Sequence, residues 1–79
     1  EQAIRLKPRA NTYGWQGLAH YQLREYRQAI KDFDHAITSD PGETWVYRWR
    51  ATTYRKLGYY DEARSDEEKA CSLDNKYCD

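Results

Sequence analysis

The sequence predicts an all-α fold made of two stacked helix-turn-helix units, and three observations point to it. The first is self-similarity at a fixed offset. Tyr13, Trp15, Leu23, Tyr26, Ala29, Asp32, Ala36 and Asp40 recur as Tyr47, Trp49, Leu57, Tyr60, Ala63, Asp66, Ala70 and Asp74, each 34 residues later. A period of this size marks a repeat architecture, in which one supersecondary unit cannot bury its apolar face alone. The second is apolar spacing of three and four residues, clearest at Ala29, Ile30, Phe33, Ala36 and Ile37, which places one stripe on a helix. The third is punctuation: Asp40-Pro41-Gly42 and Gly58 fall between the periodic stretches.

In chain order, residues 1–9 read as the end of a preceding helix and its linker. Ala3, Leu6 and Pro8 play the parts that Ala70, Leu73 and Asn75 play later. Asn11 or Thr12 is expected to cap a first helix running to about Leu23, by accepting from free N–H groups of its first turn. Arg24-Glu25 makes a tight turn into a second helix, from about Tyr26 to Thr38. Asp40-Pro41-Gly42 stops it, because proline disfavours helix at the residue before it. Thr44 is expected to cap a third helix ending at Leu57 and Gly58, and Asp61 to open a fourth that reaches about Leu73. The units are therefore 10–43 and 44–77, with 78–79 as a tail. Gly17, Ala29, Ala51 and Ala63 are small where paired helices would approach most closely.

Composition bounds the function. The 79 residues carry no net charge, yet residues 1–58 hold ten Lys/Arg against six Asp/Glu, and residues 59–79 hold three against seven. Overall balance disfavours a nonspecific nucleic-acid binder, whose footprint is a basic surplus. Eight Tyr, three Trp and one Phe supply apolar content that disordered chains lack. No stretch approaches the roughly 20 apolar residues of a membrane span, and no signal-peptide core is present. The compartment stays open, with the cytoplasm favoured. The absence of Met predicts a piece of a longer protein. Two cysteines in such a chain are more often thiols than a bridge. Bridging Cys71 to Cys78 requires the chain to leave the helix between them, since seven helical residues span about 10.5 Å.

The copy Tyr13-x-x-Gln16-Gly17-x-x-His20, then Ala29-x-x-x-Phe33, then Asp40-Pro41, resembles the tetratricopeptide repeat. Tyr47, Ala51, Tyr54, Tyr60, Ala63 and Ala70 fit the same frame with weaker landmarks. The resemblance implies a right-handed α-solenoid of two repeats plus a partial preceding helix. It also implies that the first helix of each pair lines a concave groove in which extended peptides lie. In that frame the first helix presents Asn11, Trp15, Leu18 and Gln22, with a gap at Gly14. The third presents Trp45, Arg48, Trp49, Thr52, Arg55 and Lys56. Trp15 and Trp49 are equivalent, so they are expected to face each other across about 8–10 Å, the usual helix separation. An aromatic floor with a cationic margin fits a protein or peptide with apolar anchors and acidic flanks. Some repeats of the family clamp a C-terminal carboxylate of chaperone tails with Lys and Asn. Gly14, Leu18 and Trp49 stand at those positions here, so that clamp is absent.

The fourth helix has Arg64, Glu67 and Cys71 where the second has Ile30, Phe33 and Ile37. Polar residues there suit a terminal repeat. The expected function is a binding module, scaffold or adaptor, acting through Trp15, Leu18, Trp45, Arg48, Trp49, Arg55 and Lys56. Self-association through an incomplete stack is the first alternative, and RNA bound by aromatic stacking the second. Catalysis does not assemble: His20 and His35 point apart with no nucleophile beside either. No phosphate loop, metal cluster or nucleotide fingerprint is present, so no cofactor is implied.

Overall fold

The computed structural model describes residues 10–78, so the expected residual helix over residues 1–9, like Asp79, lies outside the described residues. Four helices follow one another: α1 Ala10–Gln22, α2 Tyr26–Ser39, α3 Thr44–Leu57 and α4 Tyr60–Leu73, with a 3₁₀ turn at Asn75–Tyr77. No strand occurs among the described residues. α1 packs on α2 and α3 on α4, while α2 packs on α3 and joins the two hairpins into one stack.

Helix starts fall earlier than expected. α1 is already under way at Ala10, so Asn11 and Thr12 lie within its first turn instead of capping it. Glu43 and Tyr59 precede α3 and α4, neither giving a side-chain capping bond, and Thr44 and Tyr60 are the first helical residues. The stops follow the sequence closely. Gly58, at φ 85°, closes α3 by donating to Arg55 O and Tyr54 O. Its equivalent in the first hairpin, Arg24, adopts φ 64° and donates to Tyr21 O at 2.9 Å. An L-residue with a Cβ occupies that left-handed region at a cost that glycine escapes. Asp40 and Asp74 each fold back on the chain, accepting from the backbone N–H of Gly42 and of Lys76 at 3.1 Å.

The core runs along the α2–α3 seam. Ala29, Phe33, Ala36 and Val46 are fully buried there, with Tyr13, Leu18, Tyr21, Ile37, Trp45 and Trp49 packed against them. Gly17 is what allows α1 to approach α2. A Cβ at Gly17 would lie 2.5, 2.7 and 2.9 Å from Cε1, Cδ1 and Cζ of Phe33. Its equivalent in the second hairpin, Ala51, is also buried, but it has Glu67 in the place of Phe33.

Cys71 and Cys78 form a disulfide, with Cα atoms 4.6 Å apart. The expectation of thiols is thereby corrected, and the reason is the condition set by helix geometry. α4 ends at Leu73, and the 3₁₀ turn brings Cys78 back over its last turn.

Candidate functional site

The expected groove residues divide into a cavity, a ridge and an exposed margin. A cavity of about 380 Å³ is lined by Tyr21, Trp45, Arg48, Trp49 and Thr52. α3 supplies four of these at positions 45, 48, 49 and 52, the three-and-four spacing that keeps side chains on one helix face. Trp45 and Trp49 also press on the core from their inner edges. Trp15, 63% exposed, stands beside the cavity. Leu18 is packed on the core, while Arg55 and Lys56 are exposed further along α3.

Two aromatic pairs bridge α1 and α3. Trp15 meets Trp45 with ring centroids 5.6 Å apart, and Tyr21 meets Trp49 edge-on at 5.3 Å. Trp15 was expected opposite Trp49; it lies against a residue one turn earlier in α3. Neighbouring first helices are thus displaced along their axes, so equivalent positions do not face each other. The expected gap at Gly14 is filled. Gly14 is buried beneath the Trp45 indole, and a Cβ there would lie 2.9 Å from Trp45 Cζ2, with Cη2 closer still. Tyr21 was missed, although the same 34-residue frame pairs it with Arg55, which was counted as a groove residue.

Charge around the site is organised by carboxylates. Arg55 makes a two-bond fork to Glu67, at 2.8 Å for each bond. These bonds hold the Glu67 carboxyl below its usual range, with partial burial opposing them. Arg48 adds to the same effect from the cavity wall. On the other side of α3, Arg50 forks to Asp66 at 2.8 and 2.7 Å and donates to Asp34 at 2.7 Å. Burial alone would lower its pKa, but these bonds more than offset that and raise it. Arg50 also lies over Tyr47 and Tyr54, 5.9 and 5.7 Å from their ring centres. In the first hairpin the carboxylate equivalent to Asp66, Asp32, instead pairs with His20 at 2.5 Å, and His35 stacks on Tyr13. Both histidines therefore have structural partners across the α1–α2 pairing.

Among the described residues, no group of three or more His, Cys, Asp or Glu could hold a metal ion. No helix among them is long and apolar enough to cross a membrane.

Comparison with known proteins matches two models described as Tetratricopeptide repeat, over residues 10–43 and 46–77. The chain is 39% identical over 54 residues to the Hsp70-Hsp90 organizing protein of Triticum aestivum, covering 68% of this chain and 9% of that protein. It is 32% identical over 77 residues to serine/threonine-protein phosphatase 5 of Mus musculus, covering 98% of this chain and 14% of that one. It is also 32% identical over 71 residues to DnaJ homolog subfamily C member 7 of Homo sapiens, covering 90% and 14%. The chain thus spans 9% to 14% of the length of these relatives.

Proposed function

The chain belongs to the tetratricopeptide repeat family, and from that premise we propose that it is a protein-interaction module holding a peptide segment against the α1–α3 face. The observation that carries this is the cavity between Tyr21 and the Trp45–Trp49 ridge, with Arg48 in its wall and exposed Trp15 beside it. Flat aromatic surface and a guanidinium are the residue types that dominate interface energetics. They favour a partner with an apolar anchor next to a carboxylate. Exposed Lys56 extends the cationic margin, whereas Arg55 is already engaged by Glu67.

The relatives include an organizing protein named for Hsp70 and Hsp90. For this chain a clamp on a chain-terminal carboxylate is a poor fit. Trp45 covers the position where the family's lysine would stand, and Leu18 and Trp49 lie where its asparagines would. An internal stretch of a partner protein, gripped by side chains, suits the surface better.

Trp15→Ala is the cleaner test, because Trp49 also packs on the core and its loss would weaken the fold. Titration with peptides from a displayed random library should yield ligands whose affinity falls by at least about 1 kcal/mol in Trp15→Ala and in Arg48→Ala, each variant shown to be folded by its helical circular dichroism. Ligands indifferent to both substitutions would place binding elsewhere on the molecule.

A further inference from the structure

We propose that the Cys71–Cys78 disulfide is a redox clasp, which pins the turn after α4 when oxidised and releases it on reduction by a dithiol. Three observations carry this: what the bridge joins, what else anchors the segment, and how open its sulfurs are to attack.

The bridge joins the last turns of α4 to the residue that follows the 3₁₀ turn, and the turn packs on α4 alone among the described elements. Cys71 and Cys78 fall 34 residues after Ile37 and Thr44. In the first repeat Ile37 packs on the buried cluster that holds α2 against α3, and Thr44 is the first residue of α3. Apolar burial fastens that junction, and it is indifferent to redox state. At the second repeat the same two positions are fastened by a bond between two sulfurs.

Ala70 is the last buried residue of α4, and after it no residue whose burial is described is buried. The Lys76 N–H donates to Asp74 Oδ1 at 3.1 Å and the Cys78 N–H to Asn75 O at 2.9 Å. These two bonds shape the turn without reaching α4. The rest of α4 is held independently of the bridge, by burial of Ala63 and Ala70 and by the Arg50 fork to Asp66. Segments with few buried contacts open locally at low free energy. Cutting the bridge therefore frees the turn and leaves the helices folded.

Cys78 is exposed and Cys71 half-buried, so a reductant meets Cys78 first. One thiolate of the dithiol attacks Cys78 Sγ and forms a mixed disulfide, while the Cys71–Cys78 bond breaks and Cys71 leaves as a thiolate that takes up a proton. The second thiolate of the dithiol then attacks its own sulfur in the mixed disulfide and expels Cys78, which is protonated in turn. The protein gains two electrons and two protons, and the dithiol becomes a disulfide. The thiol–disulfide balance around the chain thus sets whether α4 carries a fixed turn or a free segment with two thiols.

The test measures backbone order parameters of the whole chain by NMR before and after dithiothreitol, with cysteine Cβ shifts reporting the oxidation state. Values at residues 75–78 should fall from about 0.85, as in the helices, to below about 0.6 on reduction, and recover on reoxidation. Helices α2 and α3 should not change. Cys78→Ser should give the low values with or without dithiothreitol. Order parameters that hold at residues 75–78 after full reduction would overturn the clasp, since the turn would then be held by its own bonds. Reduction that also loosens α2 and α3 would overturn it in favour of a staple for the whole fold. Cysteines that stay reduced in air, or a bridge that dithiothreitol opens only in denaturant, would overturn it as well.

Discussion

Replacing Gly17 by alanine sets two opposed effects against each other in the middle of α1. Alanine is the better helix former by about 1 kcal/mol, so propensity alone predicts a stabilised protein. Packing predicts the reverse. The added methyl would sit 2.5–2.9 Å from three atoms of the Phe33 ring, and Phe33 is fully buried. The contact is with the body of a rigid ring whose other face is walled by the core, so α1 and α2 must separate. Overpacking of this kind costs typically 1–3 kcal/mol, and three simultaneous clashes argue for the upper part of that range. The net expectation is a loss of about 1–2 kcal/mol, or roughly 4–15 °C in Tm for a chain of this size. Urea unfolding followed by far-ultraviolet circular dichroism measures it. The second hairpin supplies an internal control, since Ala51 holds the equivalent position where Glu67 replaces the phenylalanine. Phe33→Leu in the Gly17→Ala background should therefore cost less than Phe33→Leu alone, a coupling that a double-mutant cycle isolates. A neutral or stabilising Gly17→Ala would refute the reasoning that close approach of α1 and α2 requires the glycine.

Four further outcomes follow from the structure. Arg24→Gly should raise stability by about 0.5–1 kcal/mol, since Arg24 holds a left-handed conformation that its counterpart Gly58 holds without strain; a lower Tm would contradict this. Arg50→Met should cost about 3 kcal/mol or more by leaving Asp66 buried without its partner. Asp34→Asn should cost under about 1 kcal/mol, because Asp34 is half exposed; equal losses in chemical denaturation would show that the two bonds are not ranked by burial. The lowered pKa of Glu67 means that the Arg55 pair stabilises the fold above the ordinary glutamate range and loses that contribution as the pH falls through the range and below it. Glu67→Gln should accordingly flatten the acid limb of a stability-against-pH curve, and an unaltered limb would show that the pair contributes nothing.

The helices and their pairing were legible because they depend on local signals repeated at a fixed offset. Gly58 and Asp40-Pro41-Gly42 mark their stops chemically. Helix starts were less legible: Glu43 and Tyr59 precede α3 and α4 without a side-chain capping bond, so no residue type announces the first turn. The aromatic positions on α3 were read correctly as one ridge, but not which rings they meet. That depends on the axial shift between α1 and α3, which tertiary packing sets and a repeat offset does not encode. Arg50 escaped because its two carboxylates each lie 16 residues away, on different helices. Its trace in the sequence is Asp66, an acid among the buried alanines Ala63 and Ala70, which calls for a cation from a neighbouring helix. The disulfide escaped because, although the sequence already ends the fourth helix near Leu73, no local signal announced the 3₁₀ turn at Asn75–Tyr77 that returns Cys78 to Cys71.

The dual attachment of Arg50 bears on how the two repeats melt. In a linear array, cooperativity comes from the coupling of each unit to its neighbour, and a unit with weak coupling frays by itself. Here one guanidinium joins α3 to α4 within its own repeat and, through Asp34, to α2 of the repeat before it. Unravelling α4 frees Asp66 and loosens the arginine that also ties the inter-repeat seam. Local opening in the second repeat is thereby communicated to the first, so amide exchange on either side of the seam should report one shared opening event instead of two.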